Sequence, residues 1–288
     1  MENDVPSLLS TLGHPQRLAV WRLLMRRYPQ HVAAGELAEA TGLKPSTLSV
    51  YLSALRQAGL ITQERQGTSL RYRAAMDTAN DLLDYLFLDC CRGRPDLCLP
   101  PSRFPRSQET DQDMPRTKLN VLFICTANSA RSLFAEAILR ELASPRFEVY
   151  SAGTAPAGAP NPFALRLMAD KGLDTSALRS KNVAEFQGPD APRMDFVFTV
   201  CDHAANEECP AWDGQPISAH WGMPDPAKAT GTDAQKALAF QQAYGTLFNR
   251  LRAFAALPTG SLDRISLQHA VDRLALDDLP APSLEADA

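Results

Sequence analysis

The chain has 288 residues, 45% apolar and 22% charged, a balance that excludes wholesale disorder; at ~100–200 residues per domain two domains are expected. Its 29 basic and 33 acidic side chains leave a net charge of −4, and only residues 1–77, with 9 basic against 6 acidic, are positive, so a polyanionic partner would belong there. No apolar run approaches the ~18 residues of a membrane span, and the opening MENDVPSLLSTLGHP has neither a basic n-region nor an apolar h-region, so the expectation is a cytoplasmic chain without membrane contact whose six cysteines remain thiols.

From the start, Val5 to Leu12 and Gln16 to Arg27 carry helical spacing, the second through Leu18, Trp21, Leu24 and Met25, with Gly13-His14-Pro15 breaking them apart. A short helix over Gly35 to Thr41 follows, then a turn at Gly42, then a helix opened by Pro45-Ser46 and closed at Gly59. Leu48, Leu52 and Leu55 form the buried stripe of that last helix, leaving Ser46, Thr47, Ser49, Val50 and Ser53 facing outward. Short side chains on an exposed helix after a glycine turn suit close approach to base edges and phosphates. Ile61–Arg65 and Ser69–Arg73 read as a hairpin around Gln66-Gly67, and Arg65, Arg71 and Arg73 decorate it as a phosphate-contacting wing would require. Together LGHPQRLAVWRLL, ELAEATGLKPSTLSVYLSALRQAGLI and the hairpin resemble the arsenic-sensing (ArsR/SmtB) family of winged-helix repressors over about residues 1–98. That resemblance implies a homodimer on a two-fold-symmetric operator DNA, released when metal binds.

A helix from Asp77 to Leu88 runs into DCCRGRPDLC, which holds Cys90, Cys91 and Cys98 within nine residues. Soft thiolates select soft ions, and As(III) or Sb(III) takes three sulfurs in a pyramid, so these three thiols are the expected inducer site. The proline-rich, apolar-poor stretch at 100–116 is expected to be a linker, dividing a sensing domain (1–99) from a second domain (117–260). Residues 261–288 are expected to hold an amphipathic helix over 261–274 and an acidic tail.

Leu119–Cys125 is the apolar run of a strand buried on both faces, followed at once by Cys125-Thr126-Ala127-Asn128-Ser129-Ala130-Arg131-Ser132 and a helix, LFAEAILREL. Backbone amides of such a loop and the helix N-terminus form an anion nest, and Arg131 adds a bidentate clamp. Residues 126–131 are therefore the expected oxyanion site. The same positive field is expected to lower the Cys125 pKa into the reactive range, with Ser132 bonded to the sulfur and Asn128 holding the loop. Strands at Phe147–Ala152 and Asp195–Val200, with helices near Pro162–Lys171 and Asp233–Leu257, complete the expected small, doubly wound parallel α/β sheet. Asp225, between Pro224 and Pro226, is placed as general acid. Cys201 directly after its strand and Cys209 eight positions on would close a disulfide and supply two electrons, which hydrolysis does not need.

CTANSARS, TVCDHAANEEC and HWGMPDP resemble the low-molecular-weight tyrosine phosphatase superfamily, in its arsenate reductase branch, over about residues 118–258. The resemblance implies Cys125 as nucleophile, Arg131 as oxyanion clamp, Asn128 and Ser132 as loop supports, Asp225 as acid and Cys201 and Cys209 as relay thiols. It further implies reduction of arsenate to arsenite, no tightly bound catalytic cofactor, and an external dithiol such as thioredoxin. The competing expectations are a tyrosine phosphatase fused to a DNA-binding domain, and an oxyanion-sensing regulator without catalysis.

Overall fold

Helical spacing and glycine breaks put two helices, α1 (Val5–Leu12) and α2 (Pro15–Arg26), at the start of the first unit. They are followed by β1 (Val32–Ala33), α3 (Ala34–Thr41), α4 (Pro45–Gln57), β2 (Ile61–Gln66), β3 (Ser69–Ala74) and α5 (Met76–Tyr85). A computed structural model of the chain describes residues 5–90, 118–188, 190–207, 212 and 215–276. The chain divides into two units, Met1–Arg116 and Thr117–Ala288.

In the first unit β2 and β3 form an antiparallel hairpin with register Gln66↔Ser69, so the turn residues are Gly67-Thr68, one position later than the spacing implied. Gly67 has φ 59°, the conformation a two-residue hairpin turn requires. β1, which periodicity did not reveal, adds a third antiparallel strand on β3, giving the order β1-β3-β2. The α2 stripe is Val20, Leu23 and Leu24, all buried, whereas Leu18 is 37% exposed. The shift follows from α2 packing on α3, α4 and β3 together. Leu48, Leu52 and Leu55 of α4 are buried as expected, and Gly42 (φ 67°) makes the left-handed cap between α3 and the α4 entry. Past Tyr85 the helix widens into a π turn over Leu86–Cys90 rather than continuing regularly to Leu88.

The second unit begins with β4 (Leu119–Cys125), then α6 (Arg131–Ala143), β5 (Phe147–Gly153), α7 (Pro162–Asp170), β6 (Phe196–Thr199), α8 (Asp202–Asn206) and β7 (Ile217–His220). Two helices follow, α9 (Asp233–Ala256) and α10 (Arg264–Leu274). The sheet is wholly parallel with order β5-β4-β6-β7. β4 is flanked by β5 on one side and β6 on the other, so its carboxyl end is the switch point where doubly wound sheets open a ligand crevice. β7 was not legible as a strand. The core runs through packed aromatics: Phe198 stacks on Phe123 at 5.4 Å and on Trp221 at 4.3 Å and meets Phe254 edge-on at 5.2 Å. Among the described residues no helix is long and apolar enough to cross a membrane. Cys91, Cys98, the 100–116 stretch, Cys209 and the acidic tail from 277 onward lie outside the described residues.

Candidate active site

The Cys125 loop is shaped by where its carbonyls go. Thr154 N donates to Cys125 O (3.1 Å), Ala155 N to Thr126 O (2.9 Å), Ala157 N to Ala127 O (2.8 Å) and Asn161 N to Ser129 O (2.8 Å), while Ser180 Oγ donates to Asn128 O (2.8 Å). With five successive carbonyls tied to the surrounding chain, the amides are turned to the concave side, where the α6 N-terminus adds its own. Asn128 N accordingly points at Cys125 Sγ, 3.2 Å away, and Ser132 Oγ lies 2.9 Å from the same sulfur. Thr126, Ala127 and Ser129 are half-buried around this ring, and Asn128, Ala130, Arg131 and Ser132 are buried.

Asn128 sits in the left-handed region (φ 44°), which asparagine tolerates better than most residues. Its side chain is fully engaged in holding that conformation. Nδ2 donates to Ser132 Oγ and Ser151 Oγ, both at 2.8 Å, and Oδ1 accepts from Lys181 N at 2.7 Å. Behind it stands a buried charged cluster that the sequence did not disclose. Ser151 Oγ donates to Glu136 Oε2 (2.5 Å), the Lys181 ammonium meets the same oxygen at 2.8 Å, and Arg140 reaches Glu136 Oε1 at 2.6 Å. Ser151, Ala152 and Gly153 close β5 beside Cys125; small residues at that strand end are the one sequence signal that this part of the site offered.

Gly153 is a packing requirement. A Cβ there would stand 2.5 Å from Thr126 O and 3.1 Å from Asn128 N. We expect Gly153→Ala to displace the loop, destabilise the unit by about 1–3 kcal/mol and weaken phosphate protection of Cys125 against iodoacetamide. Unaltered protection would show that the loop has room to yield.

Arg131, 8% exposed, is clamped by the acid loop: NH2 lies 2.8 Å from Asp225 Oδ2 and NH1 donates to Met223 O at 3.2 Å. Asp225 Oδ1 also caps the turn Pro226–Lys228 by accepting from Ala227 N at 3.1 Å. The residues expected as acid and clamp, Asp225 and Arg131, thus form one ion pair.

Burial reverses the expected Cys125 electrostatics. Burial pushes the Cys125 thiol up, the Ser132 hydrogen bond pulls it down, neighbouring Cys201 raises it further, and Arg131 makes the smallest contribution downward. The sulfur is 2% exposed, and the guanidinium that was to stabilise its anion is already satisfied by Asp225. A thiol whose folded pKa is raised binds its proton more tightly folded than unfolded, so stability is complete below the ordinary thiol value of ~8.5 and falls as pH climbs above it. In oxyanion-free buffer, alkylation of Cys125 should keep rising by about tenfold per pH unit past 8.5. A plateau at lower pH would contradict the burial argument.

Cys201 caps α8, is 2% exposed, and its Sγ lies 3.4 Å from Thr126 Oγ1, so a second thiol borders the Cys125 loop. A cleft of about 470 Å³ is lined in part by Asn161, Phe163, Pro226, Lys236 and Phe240. In the first unit, Ser46, Ser49 and Val50 of α4 are exposed, and Thr47 and Ser53 are half-buried. Arg65 is exposed on the hairpin; Arg73 is half-buried; Arg71 donates from Nε and NH2 to His31 O (3.3 and 2.8 Å), so its fork helps tie β3 to the segment before β1. Cys90 is exposed at the end of the π turn. Among the described residues no group of three or more His, Cys, Asp or Glu converges to hold a metal ion.

Residues 120–264 match the family described as low molecular weight phosphotyrosine protein phosphatase, and residues 14–63 match the bacterial regulatory protein arsR family. The arsenate reductase of Halalkalibacterium halodurans is 36% identical over 135 residues, covering 47% of this chain and 94% of that protein. That of Shouchella clausii is 37% identical over 139 residues, covering 48% and 96%. Among solved structures, an arsenate reductase from Archaeoglobus fulgidus superposes with a TM-score of 0.40 at 25% identity, covering 48% of this chain and 99% of that one.

Proposed function

The chain belongs to the low molecular weight phosphotyrosine protein phosphatase family through its second unit and carries an arsR-family helix-turn-helix in its first, and from this we propose that it is an arsenate reductase fused to an arsenite-responsive repressor. The observation that carries the enzymatic half is the second buried thiol, Cys201, bordering the loop that holds Cys125. Ester hydrolysis has no use for it.

Arsenate enters the amide ring, takes the Arg131 fork and displaces Asp225. The Cys125 sulfur bonds to arsenic while one arsenate hydroxyl leaves as water, carrying the proton given up by the thiol and relayed by Asp225. A thiol kept protonated by burial therefore brings its own proton to the reaction. Cys201 next attacks the Cys125 sulfur. The S–As bond breaks with its electron pair remaining on arsenic, so As(V) becomes As(III) and departs as arsenite with the Cys201 proton. Cys209 then attacks Cys201, freeing Cys125 and leaving a Cys201–Cys209 disulfide, which an external dithiol of the thioredoxin type reduces.

Arsenate-dependent oxidation of NADPH through thioredoxin and its reductase is the direct assay of the purified chain. Mass spectrometry after one turnover without reductant should find Cys201 linked to Cys209; three free thiols would remove the relay. The product is the inducer of the other half. Arsenite held by Cys90, Cys91 and Cys98 releases a homodimer whose α4 residues Ser46, Thr47, Ser49, Val50 and Ser53 and hairpin arginines contact operator DNA. A mobility shift that arsenite leaves intact would remove the sensing role. A side activity on aryl phosphates is expected, since phosphate and arsenate share shape and charge.

A further inference from the structure

Helix α10 begins where the family match ends, at residue 264, yet it belongs to the core of the second unit. Leu267, Val271 and Ala275, four residues apart, are all buried, as one stripe of a docked helix must be. The stripe lies on β7, one of the two edge strands, and α10 also answers its polar groups: Gln268 Nε2 donates to Ser218 O at 2.8 Å, and Arg264 donates to Gln215 O. An edge strand covered in this way is protected from pairing with other chains.

The more consequential contacts lie at the end of β7, where the acid loop starts. Trp221 is fully buried, stacked on Phe198, and donates from Nε1 to Val271 O at 3.3 Å. Arg250 of α9, 7% exposed, donates to Trp221 O (3.1 Å) and to Ala275 O (3.5 Å), joining the loop's first residue to the end of α10. Two residues past Trp221, Met223 O accepts from Arg131, and two further on Asp225 pairs with it. The loop is thus pinned at its start by α9 and α10, and at its end by the oxyanion clamp.

We propose that α10, through Trp221 and Arg250, is a positioning device for Asp225: it fixes the height at which the acid loop meets the reacting oxygen. Neither residue belongs to the Cys125 loop or pairs with Arg131. This rests on Asp225 being the acid of the proposed reaction, but its test is arranged to fail separately from that reading. Leaving-group dependence isolates the acid, because p-nitrophenolate departs without a proton whereas phenolate needs one.

Arg250→Met and the double variant Leu267→Ala/Val271→Ala are compared with the intact chain on p-nitrophenyl phosphate and phenyl phosphate, with hydrogen exchange followed in parallel. The expected result is a tenfold or larger fall in the phenyl-to-nitrophenyl ratio of kcat, KM within twofold, and faster exchange at 222–228 while 119–125 and 147–153 keep their protection. Proportional loss on both esters, or unchanged exchange at 222–228, overturns the proposal. Trp221→Phe keeps the aromatic stack and removes only the indole donor; a fall of about threefold in the same ratio is expected, and none overturns the proposal should the larger variants not fold. Ile265→Ser, on the exposed side of α10 at 68% exposure, should match the intact chain. A chain inactive on both esters and on arsenate counts against the proposed reaction, and the exchange data then decide the positioning role.

Discussion

Cys125→Ser removes arsenate turnover, lowering kcat on the order of 10⁴-fold or more, while phosphate still binds the loop. The argument is one of separable roles. The ring of amides is fixed by the outward bonds of the loop carbonyls to Thr154, Ala155, Ala157, Asn161 and Ser180, and none of these involves the Cys125 side chain. Serine is smaller than cysteine and retains a group for Asn128 N and Ser132 Oγ to address. It cannot donate an electron pair to arsenic at neutral pH or be relieved of it by a second thiol, so bond formation and two-electron transfer are lost together. Calorimetric phosphate titration alongside the coupled assay checks both halves. Residual turnover above a hundredth of the starting value would mean that another thiol opens the reaction.

Glu136→Leu is expected to destabilise the second unit by about 3–5 kcal/mol, lowering its unfolding midpoint by on the order of 10 °C. Glu136 is 3% exposed and its carboxylate is the anion against which the Lys181 ammonium, itself 7% exposed, is buried. Removing it strands a cation in the interior and deprives Ser151 of its acceptor, and through Ser151 loosens Asn128. The double variant Glu136→Leu/Lys181→Met removes both charges, and breaking a pair is far worse than replacing it, so the double should be more stable than the single. Thermal unfolding of the intact chain, Glu136→Leu, Lys181→Met and the double variant gives the coupling. A double variant no better than Glu136→Leu would mean that Glu136 acts mainly through Ser151 and Arg140, and oxyanion affinity, expected to fall in the single and recover in part in the double, reads the same network from its functional end.

What could be read without coordinates is what is local. Cys125 and Arg131 are bracketed within one strand–loop–helix turn, so spacing alone announces an anion nest, and the strand, loop and α6 fall where the apolar run and the small residues put them. The α4 stripe of Leu48, Leu52 and Leu55 is equally local. Asp225 was legible because two prolines isolate it, but its ion pair with Arg131 spans the fold and was not. The cluster behind the loop joins Asn128, Glu136, Ser151 and Lys181 from four different segments, each residue unremarkable in its own neighbourhood. β7 is four residues long with two polar side chains, Ser218 and His220, in it, too short and too polar for periodicity to register.

The sequence by itself determined the two-part plan, the parallel sheet, and the Cys125–Arg131 loop at the first strand's carboxyl end as the candidate site, because all of these follow from hydrophobic period and from chemistry carried within a few consecutive residues. Tertiary structure alone decided the direction in which burial shifts the Cys125 thiol and the pairing of Asp225 with Arg131. Solvation and pairing depend on how deeply a group is buried and which distant charge meets it, and packing brings Asp225 rather than open solvent to Arg131, and α10 to Trp221.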